Sequence, residues 1–567
     1  MAALLLGPVL RHVGSTDATV WVETSAPCTV EILGRSERTW SVAGHHYALV
    51  VIDGLEPGST TPYRVRLDDT DVWPLEDADA SVIRSLSDDA RFDLAFGSCR
   101  VATTGAETDG GADESLGADA LAVYAQRMRT QPRDLWPDAL MLLGDQVYAD
   151  ELSPEILQRV GERHDLDEPP GAQVRDFEEY TWLYAQAWSD PEVRWLLSTV
   201  PTSMIFDDHD VHDDWNTSQS WRAEFEASNW WEERIVGALM SYWIYQHLGN
   251  LSPAELRRNE LYAKIRGTTG DATALLREFA SEADEEADGA RGVQWSYRRD
   301  FGSVRLLVID SRCGRVLTSE RREMVSDPEF DWIEDQTVGD YDHLLVGTSL
   351  PWLLPRALHD AEAWDEQLAF GARGPRLARW AESLRRGADL EHWAAFHDSF
   401  DRLARLFGDV ARGDRTDASG IPPATICVLS GDVHHAYAAS ARFTFPTDSQ
   451  VYQLTCSPLH NRVPAAVRAG FRAAWSRLAE RSVRGLLRLV TPVPRSPVEW
   501  DRIAGPTFGN QIATLRLHGR AARLSIERTT SRGSAAPYFE CVTDLVLSRD
   551  DATTDAPRLH RPDRAET

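Results

Sequence analysis

Six apolar, strand-like runs in this chain each end abruptly on residues that bind metals or phosphate: LAFGSCR, LMLLGDQVY, SMIFDDHD, LLVIDSR, HLLVGTS and ICVLSGDVHHA. Their ends carry Cys99, Asp145 with Tyr148, Asp208 with His209, Asp310 with Arg312, Ser349, and Asp432 with His434. In an open α/β sheet, ligands bind in the crevice at the carboxyl ends of the strands. Six such endings describe one polar site assembled from distant segments, and an enzyme is the leading reading.

With 567 residues the chain exceeds what one hydrophobic core supports, so two or more domains are expected. A net charge of −30 excludes nucleic-acid binding through a broad basic surface. Any anionic substrate must be drawn in by local cations against the overall field. The six cysteines are scattered, with no disulfide framework and no zinc-ribbon spacing. No stretch approaches the ~20 apolar residues of a spanning helix. The first residues show no charged leader, cleavage site or twin-arginine signal, so the expected location is cytoplasmic.

Residues 1–88 read as a β-sandwich of the fibronectin III/immunoglobulin type. TVWVET, CTVEIL, YALVVI and YRVRL are short Val/Thr/Tyr-rich strands, and Tyr63 in GLEPGSTTPYRVRL is expected at a sheet corner. Residues 89–548 read as an α/β domain with long helical insertions at 174–250 and 356–411, their tryptophans mostly core. The acidic stretches 107–120 and 281–292 are expected as loops, and 549–567 as a disordered tail. Residues 465–490 form a basic amphipathic helix with Arg468, Arg472, Arg477, Arg481, Arg484 and Arg488. A packed insertion or site lid is preferred there over peripheral membrane contact.

Each strand end has its own chemistry. Gly144 permits a tight turn into Asp145, whose carboxylate can bridge two cations. The phenolate of Tyr148 suits a trivalent ion. Gly431 serves the same purpose before Asp432 and His434, imidazole being a common transition-metal ligand, while His435 is expected to point elsewhere. From 207 to 214 every residue except Val211 is Asp or His, a charge density that calls for cations. Asp208 is expected as a ligand of a second metal, with Asp213 and Asp214 as alternatives. His209 is expected as the general acid, oriented by Asp210. Cys99 is expected as a thiolate ligand. Arg100 and Arg312 are expected either to clamp phosphate oxygens or to serve as structural salt-bridge partners.

GSC at 97–99, GDxxY at 144–148, DDHD at 207–210, DSR at 310–312 and GDVHHA at 431–436 together resemble the alkaline phosphatase D (PhoD-like) metallophosphatases. The resemblance implies a four-layer αββα metallophosphatase sandwich behind the N-terminal domain. It implies Fe³⁺ held by Cys99, Asp145, Tyr148 and His434. It also implies a second divalent ion, calcium in the best-known form, sharing Asp145 and drawing on Asp432 and the Asp208 region. The expected activity is hydrolysis of a phosphate mono- or diester. Two ions ~3.5–4 Å apart supply hydroxide for in-line attack, and His209 protonates the leaving alkoxide. The alternatives are a phospholipid- or nucleotide-directed diesterase that uses the basic helix, and a non-catalytic metal-binding scaffold. The family commonly has Glu where this chain has Asp210, and its secreted members carry a twin-arginine leader.

Overall fold

The computed structural model describes the whole chain except residues 76–78, 88, 103–115, 286–291, 319, 532–535 and 551–567. The acidic stretch 107–120 therefore lies mostly outside the described residues, as does nearly all of the expected tail. The other acidic stretch, 281–292, does not begin as a loop, because Ser281–Asp284 are the last residues of the helix Thr273–Asp284.

Alternation along the first strands sets the N-terminal architecture. Asp17–Thr24 pairs with Leu4–Val13 and His45–Asp53 in one antiparallel sheet, closed by Trp40–Val42. A second sheet contains Thr29–Ile32, Arg35–Arg38, Val65–Leu67 and Thr70–Trp73. Side chains two apart share a face, and here both faces of the first sheet are buried. Ala18, Val20, Val22, Ala48, Val50 and Ile52 fill the sandwich interior. Trp21, Tyr47 and Leu49 point the other way, into a core shared with the helices that follow. Tyr63 is buried as expected for a corner residue, yet its hydroxyl donates to Ser198 O at 2.6 Å, outside the sandwich.

Two large sheets carry the rest of the molecule. The first has six strands and pairs Arg91–Gly97, Ala139–Leu143 and Thr202–Ile205 in parallel. The second has seven and pairs Val304–Val308, His343–Gly347, Thr425–Ser430 and Gln450–Thr455 in parallel. Strands buried on both faces read as continuous apolar runs, and alternate residues divide between layers. Phe96, Met141, Leu143, Val308, Leu345 and Leu429 meet between the sheets. Leu140 and Leu142 face one helical layer, and Leu307, Val346 and Val428 face the other. The result is the expected four-layer αββα arrangement, with all six polar strand ends at one edge.

The tryptophans of the 174–250 insertion are mostly packing residues: Trp182, Trp188, Trp195, Trp221, Trp231 and Trp243 are buried. One turn, Tyr242–His247, is a π-helix wedged between the N-terminal sandwich and the first large sheet. Arg11, fully buried, donates to the carbonyls of Tyr245 and Gln246 and to Asn250 Oδ1. The basic segment 465–490 is two helices rather than one, Ala465–Ala474 and Arg477–Leu487, with Ser476 capping the second. Among the described residues, no helix is long and apolar enough to cross a membrane.

Candidate metal centre

The strand ends turn through backbone conformations that side chains rarely adopt. Cys99 (φ +58°), Asp145 (+50°), Asp432 (+64°) and His434 (+49°) all lie in the left-handed region. Such strain persists where the surroundings over-determine it, and it concentrates at functional sites. The two turn glycines have no room to be anything else. A Cβ on Gly144 would lie 2.6 Å from Asp207 Cβ, and one on Gly431 would lie 2.0 Å from Ser98 Oγ.

These turns bring the expected ligands together. Cys99, Asp145 and His434 offer donor atoms within 4.8 Å of one another, as do Asp145, Asp207 and Asp208. Asp145 belongs to both groups, as a bridging carboxylate would. A third group joins Asp208, His209 and Asp213. The Tyr148 hydroxyl donates to Asp145 Oδ2 at 3.4 Å and accepts from Asn461 Nδ2 at 2.9 Å. Asp145 Oδ1 and Asp207 Oδ2 are buried without a hydrogen-bond partner among the described residues. Burial, then neighbouring carboxylates, push the Asp145 carboxyl and the Cys99 thiol well above their ordinary ranges, and burial pushes the His434 imidazole down to about 4. A neutral imidazole beside a thiol and orphaned carboxylate oxygens is a donor set that fits metal ions, which remove the charge penalty and hold the thiol as thiolate.

Other expected residues stand in different roles. Among the described residues, the Asp210 carboxylate makes no hydrogen bond to the His209 ring. Its Oδ1 accepts from the backbone N–H groups of Gln146 and Val147 at 3.1 Å, and its Oδ2 from Asp207 N at 3.0 Å. It thereby shapes the Asp145 turn. The partner of His209 is Asp150, whose Oδ1 lies 3.0 Å from Nδ1. Burial opposes charge on that imidazole, but the Asp150 hydrogen bond and the carboxylates of Asp145 and Asp208 outweigh it, leaving its pKa well above the ordinary value. The two arginines differ in what they leave open: Arg100 has every nitrogen engaged, whereas Arg312 Nη2 is buried with no hydrogen-bond partner among the described residues. Arg100 spends its nitrogens on Asp119 and the Ala187 carbonyl. Arg312 is enclosed by Asp207, by Asp208 at 3.0 Å, and by Glu391. Asp432 Oδ2 lies 3.1 Å from His392 Nε2, whose Nδ1 lies 2.9 Å from Glu362. His435 turns away, as expected, toward Tyr437, Phe471 and Phe508, with Nδ1 on the Val433 carbonyl.

Sequence reasoning missed Asp150, the place of Asp207 among the clustered donors, Asn461, and the Glu362–His392 pair. Asp207 was legible as part of DDHD. The others lie in loops and insertion helices, where no strand end marks them.

The family model for PhoD-like phosphatases matches residues 116–335. Over that span the chain is similar to the PhoD-like phosphatases. The matched span includes Asp145, Tyr148, Asp207, Asp208, His209 and Arg312; Cys99, Asp432 and His434 lie outside it. Residues 1–85 match a domain of unknown function, DUF7800. Among solved structures, that of PhoD shares 11% identity at a TM-score of 0.57, covering 97% of this chain and 91% of its own, and so has the same fold. A purple acid phosphatase, PPD1, from seeds of yellow lupin (Lupinus luteus) shares 11% identity at a TM-score of 0.48, covering 96% and 74%. No curated protein matches the chain by sequence.

Proposed function

We propose that this protein is a metal-dependent phosphoric ester hydrolase acting on mono- or diesters. One observation carries the reading: two sets of buried donors share Asp145, and carboxylate oxygens in both Asp145 and Asp207 lack partners. Cys99, Asp145, Tyr148 and His434 would hold Fe³⁺. Asp145, Asp207 and Asp208, with Asp432 nearby, would hold a divalent ion, calcium being the expectation. Bound there, the two ions supply Lewis acidity and charge neutralisation for attack at phosphorus.

The chain's own residues do the rest. Asp150 fixes His209 through Nδ1 and, with the surrounding carboxylates, favours its protonated form. Its Nε2, 3.8 Å from Asp213 Oδ1, would hold the proton that a leaving alkoxide needs. Arg312 spaces Asp207, Asp208 and Glu391. Asp210 sets the turn that presents Asp145. The domain division at 88 belongs to the same proposal, the N-terminal sandwich buttressing the helical layer behind the site.

Elemental analysis of the purified chain with its visible spectrum tests the reading. The expected result is about one iron per chain, with a charge-transfer band lost in Tyr148→Phe. A colourless protein that takes up no metal on reconstitution would return the chain to the scaffold reading.

A further inference from the structure

A helix on a protein surface normally turns polar residues outward. Two adjacent helices here do not. In Arg477–Leu487, Leu487 points inward against Trp364, whose Nε1 donates to its carbonyl at 3.1 Å. Leu478, on the opposite side of the helix from Leu487, is 76% exposed, Leu486 is 67% exposed, and Leu489, in the turn just past the helix end, is 80% exposed. Arg477, Arg481 and Arg488 border these leucines, and among the described residues none of the three is paired with an acid. The helix Pro375–Gly387 repeats the pattern with exposed Leu377 and Trp380 beside Arg376 and Arg379. Both helices pack on a third, Arg356–Ala369, whose buried Trp364 lies against Leu487 and 6.1 Å from Trp380.

We infer that these two helices form a docking surface for an anionic lipid bilayer. Charge complementarity selects this partner. Segment 465–490 carries six arginines and one acid, Glu480, in a chain of net charge −30. The bulk of the molecule is repelled by an anionic membrane, so only this face can approach one. Exposed leucines flanked by arginines, with a tryptophan alongside, suit the boundary between headgroups and acyl chains.

Docking by this face also orients the site. The far end of Pro375–Gly387 contributes Glu382, Ser383 and Arg386 to a cleft of about 590 Å³. Asp213 and Asp214 line the other side of that cleft, with Trp221 and Phe225. Asp213 Oδ1 also lies 3.8 Å from His209 Nε2, so one wall of the cleft borders the candidate site. The surface itself does not depend on what the site does.

The test is co-sedimentation of the full chain with vesicles of phosphatidylcholine alone or mixed with phosphatidylglycerol. Binding is expected only with the anionic vesicles, and it should weaken as salt shortens the reach of surface charge. Combining Leu478→Ser and Leu489→Ser with Arg477→Glu, Arg481→Glu and Arg488→Glu should lower the partition coefficient by about tenfold or more. Hydrolysis of a small soluble ester by that variant should be unchanged. Arg64→Glu with Arg442→Glu, at exposed sites elsewhere, should bind like the wild type. Metal-stripped wild type should bind equally, which separates this surface from the catalytic reading. Equal binding to both vesicle types, or no effect of the patch variant, overturns the proposal. So does failure to bind together with a dimer that the patch variant dissolves, since the face would then join two copies of the chain.

Discussion

Two buried clusters of charge meet at the strand ends and are balanced differently. Around Asp145 the carboxylates of Asp207 and Asp208 crowd a thiol and a neutral imidazole, and Asp145 Oδ1 and Asp207 Oδ2 have no hydrogen-bond partner among the described residues. Around Arg312, equally buried, each guanidinium nitrogen lies against a carboxylate, Nη2 by ion pairing alone with no hydrogen bond among the described residues, and Arg315 adds a second cation at Glu391, 3.2 Å away. A buried ion pair is weak evidence for function, because scaffolds use such pairs too. A buried excess of acceptors is stronger evidence, because its cost is offset only by something bound. The first cluster therefore marks the ligand, and the second marks the frame that keeps its carboxylates apart.

The sharpest way to break this contrast is to remove one member from each side. Asp145→Asn should abolish metal uptake and turnover together, a loss of about a thousandfold or more, read by elemental analysis and ester hydrolysis. In the metal-free protein the same change should raise Tm, since it removes a buried carboxyl that folding must otherwise desolvate or protonate. Full activity with full metal content in this variant would sink the proposed site. Next, His209→Gln should keep the metals but slow turnover by about 10²–10⁴, most for esters with poor leaving groups. Equal slowing across leaving groups would count against its role as acid. Arg312→Met should do the reverse of Asp145→Asn in the metal-free protein. Stranding three carboxylates costs on the order of 3–5 kcal/mol, visible as an earlier urea transition. A neutral outcome would show that the frame is not held by charge.

The smallest effect lies far from the site. His45 bridges Glu23, at 2.9 Å in its own sandwich, and Glu178, at 2.8 Å in the helical layer. Burial disfavours its charge, but the two carboxylates prevail and raise its pKa to about 9. Its ordinary value is 6.5, so the stabilisation is complete below that pH and is lost as pH rises through about 9. The Tm gap between wild type and His45→Gln should close over that interval. A gap independent of pH would mean that packing, not charge, joins the two parts.

The sequence was most informative where secondary structure and chemistry coincide. A strand buried on both faces must be apolar throughout, so the abrupt change to Asp, His or Cys marks its end and its cargo at once. This is why Cys99, Asp145, Asp208 and His434 were readable. His392 and Asp150 were not, because a lone polar residue in a loop or insertion carries no period to place it. The roles of Asp210 and Arg312 were ambiguous for another reason. A carboxylate among backbone N–H groups and an arginine among acids look the same in sequence as a base and an anion clamp. The basic stretch at 465–490 had helical spacing throughout, and only the Ser476 cap reveals the break.

The core shared by the sandwich and the helical layer bears on how the chain is made. The outward residues Trp21, Trp40 and Tyr47 pack against Trp188, Trp243 and Tyr245. Those partners leave the ribosome about 200 residues later, on the order of 10–40 s at ordinary synthesis rates. During that interval the nascent sandwich presents an aromatic face to solvent with none of these partners to cover it. The sandwich, emerging before the helices that cover it, is therefore the part most in need of a chaperone, and slowing translation across residues 90–245 should lower the soluble yield.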